Sequence, residues 1–131
     1  MVVDASVIAA IAFGEPEAQA FELVIADDPI RLISVATLFE ATIVIETRNG
    51  ELGARELDMW VNRTGLEVMP VDADQYAIVR DAWRRFGKGR HRAALNFGDC
   101  FSYALSAVTQ EPLLFKGDDF ARTDVLRVAL P

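Results

Sequence analysis

Five acidic residues stand beside apolar segments that have the length of buried strands or helices: Asp4, Glu40, Asp99, Asp118 and Asp119. Carboxylates within a few ångströms of one another repel, and they stay ionised together only when a cation lies between them. Oxygen ligands without histidine or thiolate favour Mg²⁺ or Mn²⁺. Such an ion activates water and stabilises negative charge on a phosphoryl group. If the fold brings these acids together, they indicate phosphodiester chemistry.

Each of these acids also has a structural interpretation. Asp4 and Asp99 are residue types that cap helix N-termini, and the Gly-Asp-Asp sequence around Asp118 is typical of a turn. Glu40 is harder to explain in this way, because it interrupts an apolar helix and a lone buried carboxylate is unfavourable. Ser6 is either a helix-entry hydroxyl or a hydrogen-bond donor to Asp4 or to a ligand phosphate. Both interpretations stay open at the level of single residues.

The elements that must position these acids alternate between strands and helices. Short apolar runs predict strands at 1–3, 31–35, 66–71 and 112–115, with a candidate fifth at 126–130. Helical periodicity and end signals predict helices at 6–13, 15–28, 37–48, 51–63, 73–86 and 98–108. This alternation predicts an α/β fold, a three-layer α/β/α sandwich with a mainly parallel central sheet. In such sheets functional residues gather at the carboxyl ends of the strands. Asp4, Asp118 and Asp119 follow strands, and the predicted sheet allows Glu40, one turn into its helix, and Asp99, at the start of its helix, to converge on the same end.

Length and composition bound the class of protein. A chain of 131 residues has the length of one domain, 1–131, with room for a real core. No apolar run reaches the roughly 18 residues that span a bilayer, and the N-terminus lacks the positive start of a signal peptide. We therefore expect a soluble, cytoplasmic protein with no membrane partner. The apolar helices at 17–26 and 37–47 are explained either by core packing or by contact with a partner.

Charge is segregated along the chain. The net charge is −7, which argues against nonspecific binding to nucleic acid. Residues 80–92 nevertheless hold six basic residues and one acidic residue. A basic segment on an acidic protein can guide a polyanion to one edge of the molecule. Arg and Lys also suit the solvated last turn of a helix, so the charge alone does not decide between these interpretations.

Few other side chains offer chemistry. Cys100 is the only cysteine, which excludes an internal disulfide and a multi-cysteine zinc site, and its apolar surroundings predict a small core residue. His91 is the only histidine, so zinc sites that need two histidines are excluded, and a Ser-His-Asp triad would have to use it. Trp60 and Trp83 stand at helical spacing and are predicted to be core or interface anchors.

The order of these motifs resembles that of the PIN-domain ribonucleases, specifically the VapC-type toxins of bacterial toxin–antitoxin pairs. The resemblance covers essentially the whole chain and is carried by the segments MVVDASVIAAIAFGEPEA, TLFEATIVIETR, LNFGDCFSYALSA and PLLFKGDDFARTDV. It implies a single PIN-like nuclease domain and an endoribonuclease activity that depends on Mg²⁺ or Mn²⁺. It also implies a homodimer and inhibition by a VapB-like antitoxin.

The family pattern assigns roles to the acids. Asp4, Glu40 and Asp99 match the first three acids of the family. The fourth is less regular, because Phe115 and Gly117 stand where members often have Thr and Asp. The resemblance therefore favours Asp118 as the fourth catalytic acid and metal ligand, with Asp119 as the next candidate.

The same resemblance gives the neighbouring residues a function. Gly98 leaves room for the approach of a metal ion or a phosphate, and Ser6 supports Asp4. Because the basic segment closely precedes Asp99, we expect contacts with the RNA backbone from Arg84, Arg85, Lys88, Arg90 and Arg92.

Two other function classes fit part of the pattern. Lys116 after the fourth strand suggests a Mg²⁺-dependent phosphoacceptor, but that site needs an aspartate at the end of a middle strand, where only Asp72 is available. A phosphatase of the haloacid-dehalogenase type needs Asp-x-Asp after the first strand, and Asp4-Ala-Ser6 lacks the second acid. The second class is a noncatalytic α/β binding module in which the acids only cap helices.

Overall fold

The computed structural model describes all 131 residues, and its centre is a four-stranded parallel sheet in the order β3-β2-β1-β4. The strands are short: β1 (Val2–Val3), β2 (Leu32–Ser34), β3 (Glu67–Met69) and β4 (Leu113–Leu114). The helices are α1 (Ala5–Ala12), α2 (Ala18–Asp27), α3 (Val35–Thr64), α4 (Ala73–Phe86) and α5 (Phe97–Thr109), and a 3₁₀ turn follows at Phe120–Arg122. The predicted α/β fold with a parallel central sheet is confirmed.

The strands divide their side chains between two hydrophobic cores, because neighbouring residues of a strand point to opposite faces. In β1, Val2 packs with residues of α4 and α5, whereas Val3 packs with residues of α1, α2 and α3. Leu113 and Leu114 of β4 divide in the same way, and all four side chains are at most 1% exposed. Burial on both faces explains why β1 and β4 are continuously apolar, whereas the edge strand β3 is largely exposed and contains Glu67.

Parallel pairing places the acid-bearing segments at one edge of the sheet. Val2 of β1 pairs with Leu32 of β2 on one side and with Leu113 of β4 on the other. The chain leaves these strands in the same direction, into α1, into α3 and into the loop after β4. Their first residues beyond the strands therefore lie next to one another, as the topology rule for such sheets requires.

The helix that carries Glu40 is interrupted once. Gly50 has φ +71° and ψ −172°, which lie outside the helical range and which glycine adopts without steric cost. The sequence predicted separate helices at 37–48 and 51–63, and the structure has one element, Val35–Thr64, with a break between them at Gly50. Because of this break, the two halves of α3 need not share one helix axis.

The prediction of a fifth strand at 126–130 is wrong. This segment makes one isolated parallel bridge, between Leu113 and Arg127, with Leu113 N–H donating to Leu126 O (2.8 Å). Most of its side chains are exposed, so little apolar burial is available to stabilise longer pairing. None of the helices combines the length and the apolar character needed to cross a membrane.

Candidate active site

Asp4 lies where β1 ends and α1 begins, and only 3% of it is exposed. Its Oδ2 accepts hydrogen bonds from Ser6 N–H (3.0 Å) and Ser6 Oγ (2.6 Å), so Asp4 is the N-cap of α1. Ser6 Oγ also accepts from the backbone N–H of Lys116 (3.0 Å), which ties the segment after β4 to this point. Of the two roles considered for Ser6, the structure shows donation to Asp4.

The other oxygen of Asp4 is held from the opposite helical layer. Ser102 Oγ donates to Asp4 Oδ1 at 2.6 Å, and Thr37 Oγ1 lies 3.1 Å from Ser102 Oγ. Both hydroxyl residues are buried. Neither hydroxyl was predicted from the sequence, although Ser102 is a polar residue inside an otherwise apolar stretch of α5, as Glu40 is in α3.

Asp99 stands in the first turn of α5 as part of a capping box. The N-cap is Asn96, whose Oδ1 accepts from Asp99 N–H (2.9 Å), while Asp99 Oδ2 accepts from Asn96 N–H (2.9 Å). The pKa of Asp99 is raised to about 7: burial is the largest cause, the hydrogen bond from the Asn96 backbone opposes it, and the charges of Asp4, Glu40 and Asp119 add to the rise. Asp99 thus caps its helix and also belongs to an acidic cluster.

Glu40, on α3, joins this cluster by packing against the first turn of α5. Burial raises the pKa of Glu40, and the charge of Asp4 adds to the effect. The Glu40 carboxylate lies against Gly98, where a β-carbon would come within 1.6 Å of Glu40 Oε2. The space beside Gly98, predicted from the sequence to admit a metal ion or a phosphate, is therefore occupied by the Glu40 carboxylate.

The two acids after β4 differ in their relation to the cluster. Asp118 and Asp119 are both exposed, and Asp119 immediately precedes the 3₁₀ turn. The charge of Asp119 contributes to the raised pKa of Asp99, and Asp118 is not among the groups that do so. The sequence favoured Asp118, whereas the electrostatics connect Asp119 to the other acids.

The acidic cluster, defined as Asp4, Glu40, Asp99 and Asp119, offers only carboxylate oxygens. No three His, Cys, Asp or Glu side chains are arranged, as they stand, to hold one ion. The donor set nevertheless fits a hard divalent cation. Hydrogen bonds occupy three of the roughly four acceptor positions of the Asp4 carboxylate, which leaves one on Oδ1 for a ligand.

The basic segment is divided between solvent and internal contacts. Arg84, Lys88 and Arg92 are exposed and take part in none of the side-chain ion pairs of the chain. The Arg90 guanidinium lies over the Trp83 ring, 4.1 Å from its centroid. This cation–π contact positions the Arg90 guanidinium on the indole of Trp83.

Arg85 is engaged in contacts within the protein. It donates to Asp124 Oδ2 (2.7 Å) and lies 3.4 Å from Asp81 Oδ2, and these contacts raise its pKa. Tyr103 Oη donates to the other oxygen of Asp124 at 2.5 Å. The network joins α4, α5 and the C-terminal segment, so Arg85 differs from its neighbours in having its charge neutralised by the protein.

The remaining candidates have structural environments. Lys116 Nζ pairs with Glu15 and with Glu17 (3.1 Å), and these hydrogen bonds raise the pKa of Lys116. Cys100 is 2% exposed and donates to Asn96 O (3.3 Å), and burial raises its pKa to about 11. Neither Lys116, held by two glutamates, nor the protonated thiol of Cys100 is placed for catalysis with the acidic cluster.

Large apolar side chains remain exposed on the first half of α3. Val35, Phe39 and Ile43 follow one another at intervals of four residues, which places them on one face of the helix. They are 47%, 64% and 49% exposed. We call this row the α3 stripe, and it adjoins Glu40 in the sequence.

Comparison with protein families finds a match between residues 1–126 and the PIN domain. A ribonuclease VapC of Mycolicibacterium smegmatis is 55% identical over 128 residues, which cover 98% of this chain and 99% of the relative. Ribonuclease VapC30 of Mycobacterium tuberculosis is 51% identical over 131 residues, the full length of both proteins. Both matches extend over essentially the whole of each protein, far above the identity at which a family is shared.

A solved structure has the same fold. The crystal structure of Mycobacterium tuberculosis VapC20, described as a toxin that cleaves the sarcin-ricin loop, superposes with a TM-score of 0.79 at 21% sequence identity. The match covers 99% of this chain and 98% of the other. At this identity the likeness concerns the architecture of the sheet and helices.

Proposed function

Because the chain belongs to the PIN-domain family, as a VapC-type ribonuclease toxin, we propose that it is a divalent-metal-dependent endoribonuclease whose acidic cluster is the active site. The family predicted from the sequence is confirmed, and with it RNA cleavage as the general activity. We assign the whole chain, 1–131, to one nuclease domain that acts in the cytoplasm, where its RNA substrate is found.

One observation carries the proposal: carboxylates from separate elements lie so close that the charge of Asp4 raises the pKa of Glu40, and the charges of Asp4, Glu40 and Asp119 raise the pKa of Asp99, with no cationic side chain among the causes. Such an arrangement is unfavourable for folding unless it serves a ligand. A divalent cation supplies the missing positive charge, and when bound it polarises the scissile phosphate and activates the attacking water. Mg²⁺ or Mn²⁺ matches the oxygen-only donor set.

We assign the residues of the cluster as follows. Asp4 and Asp99 are the principal metal ligands, each held in place by hydrogen bonds from its own helix terminus. Asp119 is favoured over Asp118 as the fourth acid, because its charge acts on Asp99. Since no three of these side chains are arranged for one ion as they stand, binding includes a closing movement of the carboxylates.

Glu40 is the candidate general base. Its raised pKa makes its carboxylate a stronger proton acceptor than an exposed glutamate, so Oε1 or Oε2 can accept the proton of the attacking water. The packing against Gly98 holds the carboxylate beside Asp99. The same proton is then available for the leaving oxygen of the cleaved strand.

RNA reaches the cluster along the basic segment. Arg84, Lys88, Arg90 and Arg92 are the side chains of that segment available for phosphate contacts, whereas Arg85 is neutralised by Asp124. Their guanidinium and ammonium groups bind the backbone in any sequence, so they position the RNA without selecting it.

Two protein partners belong to the proposal. The α3 stripe is an apolar surface of the kind that self-association covers, and we assign it to a homodimer. Regulation of the toxin is assigned to a VapB-like antitoxin, as the relationship to VapC proteins implies.

The decisive experiment compares Asp4→Asn and Asp99→Asn with the wild type in Mn²⁺-dependent cleavage of total RNA and in growth inhibition on expression. Both substitutions keep the size and hydrogen-bond acceptor of the side chain and remove its charge. We expect both activities to be lost while circular dichroism shows a folded protein. Cleavage by either variant above the level of a mock purification would disprove the assignment of the active site.

A further inference from the structure

Two buried hydroxyls connect the three elements that carry the acids. Thr37 Oγ1 lies 3.1 Å from Ser102 Oγ, and Ser102 Oγ donates to Asp4 Oδ1 at 2.6 Å. Thr37 is 1% exposed and Ser102 is fully buried. Thr37 precedes Glu40 by three residues in α3, and Ser102 follows Asp99 by three residues in α5. Each hydroxyl therefore lies one helical turn from an acid of the cluster.

The direction of the hydrogen bonds follows from the chemistry of the groups. An ionised carboxylate only accepts, and a serine hydroxyl has a single proton. Ser102 therefore uses its proton on Asp4, and Thr37 is the donor to Ser102. Because both hydroxyls are buried, removal of either one leaves the hydrogen-bonding group of its partner unsatisfied.

We infer that Thr37 and Ser102 are positioning residues of the acidic cluster: their hydrogen-bonded chain fixes the Asp4 carboxylate relative to Glu40 and Asp99, so that the three can meet one divalent cation. The inference rests on the proposed function. Groups that orient the ligands of a metal site determine how well those ligands converge. Here the orienting groups come from the two helices whose acids must meet Asp4.

A matched comparison is available in the same helix. Ser106 lies one turn beyond Ser102, is 3% exposed and donates to Glu111 O at 2.6 Å. It is thus a buried, hydrogen-bonded serine of α5 whose partner lies outside the cluster. Ser106→Ala measures what the loss of such a hydroxyl does to the fold alone.

The test uses Mn²⁺ as the probe and follows the rise in melting temperature as Mn²⁺ is added. Ser102→Ala is expected to raise the Mn²⁺ concentration for half-maximal stabilisation about 10-fold or more. Thr37→Val, which keeps the shape of the side chain, is expected to raise this Mn²⁺ concentration by a smaller factor. Thr37→Ser, which keeps the hydroxyl, is expected to have the wild-type value. Ser106→Ala is expected to lower the melting temperature without changing the Mn²⁺ midpoint.

Wild-type midpoints in Ser102→Ala and Thr37→Val would overturn the inference and leave the proposed function intact. A midpoint shift of equal size in Ser106→Ala would also overturn it, because the effect would then be general to the helix. If Ser102→Ala does not fold, the comparison of Thr37→Val with Thr37→Ser decides the question. A wild-type protein that neither responds to Mn²⁺ nor cleaves RNA would overturn the proposed function, and the inference with it.

Discussion

The carboxylate of Glu40 occupies the space that a side chain at position 98 would need. A methyl group on Gly98 would lie 1.6 Å from Glu40 Oε2 and 2.5 Å from its Cδ, far inside van der Waals contact. Gly98 is in the first turn of α5, directly before Asp99. The glycine therefore allows an acid from α3 to approach an acid of α5, which is a close approach that any β-carbon prevents.

Gly98→Ala is expected to reduce cleavage roughly 100-fold, because displacement of a catalytic group by about 1 Å has effects of that size. The melting temperature is expected to change little. The cost of displacing Glu40 is offset by two gains: alanine favours a helix by about 1 kcal/mol over glycine, and moving Glu40 away relieves repulsion within the cluster. Cleavage rates and thermal melts of the variant test both statements.

Gly53→Ala is the control for this substitution. Its β-carbon would also be crowded, at 2.6 Å from Asn49 Cβ, but it lies beyond the break in α3. We expect Gly53→Ala to lower the melting temperature and to keep the cleavage rate. Adding Glu40→Asp to Gly98→Ala should recover part of the activity, since the shorter side chain reduces the clash. Full activity of Gly98→Ala alone would contradict the positioning of Glu40.

The metal-free protein is expected to lose stability as the pH rises from about 4 to about 7, on account of Asp99. Its pKa is raised from 3.8 to about 7 in the folded state. The folded protein therefore binds more protons than the unfolded chain between these values, and stability falls with increasing pH there and is level above. Asp99→Asn should remove most of this dependence, and the raised pKa of Glu40 accounts for the remainder. The variant should gain about 2 kcal/mol at pH 8, roughly half of what the full shift of the Asp99 pKa would give, because Asp99 is only partly buried and solvent screens its charge.

Melting temperatures in EDTA at pH 5.5 and pH 8 test this prediction, with Asp27→Asn, a change at an exposed acid, as the control. Mn²⁺ should stabilise the wild type more at pH 8 than at pH 5.5, because it binds the deprotonated carboxylates. An equal pH dependence in Asp99→Asn and the wild type would show that another group is responsible.

Asp118→Asn and Asp119→Asn form a matched pair that identifies the fourth acid. The charge of Asp119 acts on Asp99, so its removal is expected to weaken Mn²⁺ binding and cleavage about 10-fold, whereas Asp118→Asn stays close to the wild type. Mn²⁺ titrations and initial cleavage rates give the comparison. The reverse order of effects would return the assignment to Asp118, as the sequence alone favoured.

Arg84→Ala and Arg85→Ala are expected to separate RNA binding from stability. Arg84 is exposed and outside the ion pairs, so its loss should weaken RNA binding and reduce the salt slope by about one. Arg85 binds Asp124, so its loss should lower stability by about 1 kcal/mol and affect RNA binding less. Fluorescence anisotropy at several salt concentrations, in an Asp99→Asn background, measures binding without cleavage.

Phe39→Glu is expected to prevent the proposed dimerisation, because it places a charge in the middle of the α3 stripe, where Phe39 is 64% exposed. Leu52→Glu is the control, at a leucine 67% exposed on the second half of the same helix. Sedimentation equilibrium distinguishes the states. A wild-type monomer, or a Phe39→Glu dimer, would exclude the stripe as the dimer interface.

The sequence by itself determined the fold class and the approximate elements. Strand alternation and helical periodicity are local properties, and burial on both faces of the sheet leaves a clear pattern in β1 and β4. The segments that carry the acids, in their order along the chain, were sufficient to identify the family. The failure at 126–130 has the same origin: an apolar pattern predicts a strand, but only burial and pairing stabilise one.

Only the tertiary structure decided which groups meet. Ser102 and Asp4 are 98 residues apart, and their hydrogen bond depends on how α5 packs against the sheet. The same holds for Glu40 beside Gly98 and for Arg85 paired with Asp124, 39 residues away. Periodicity assigns a side chain to the inside or the outside of an element, whereas distances of a few ångströms between elements follow from the packing of the whole core.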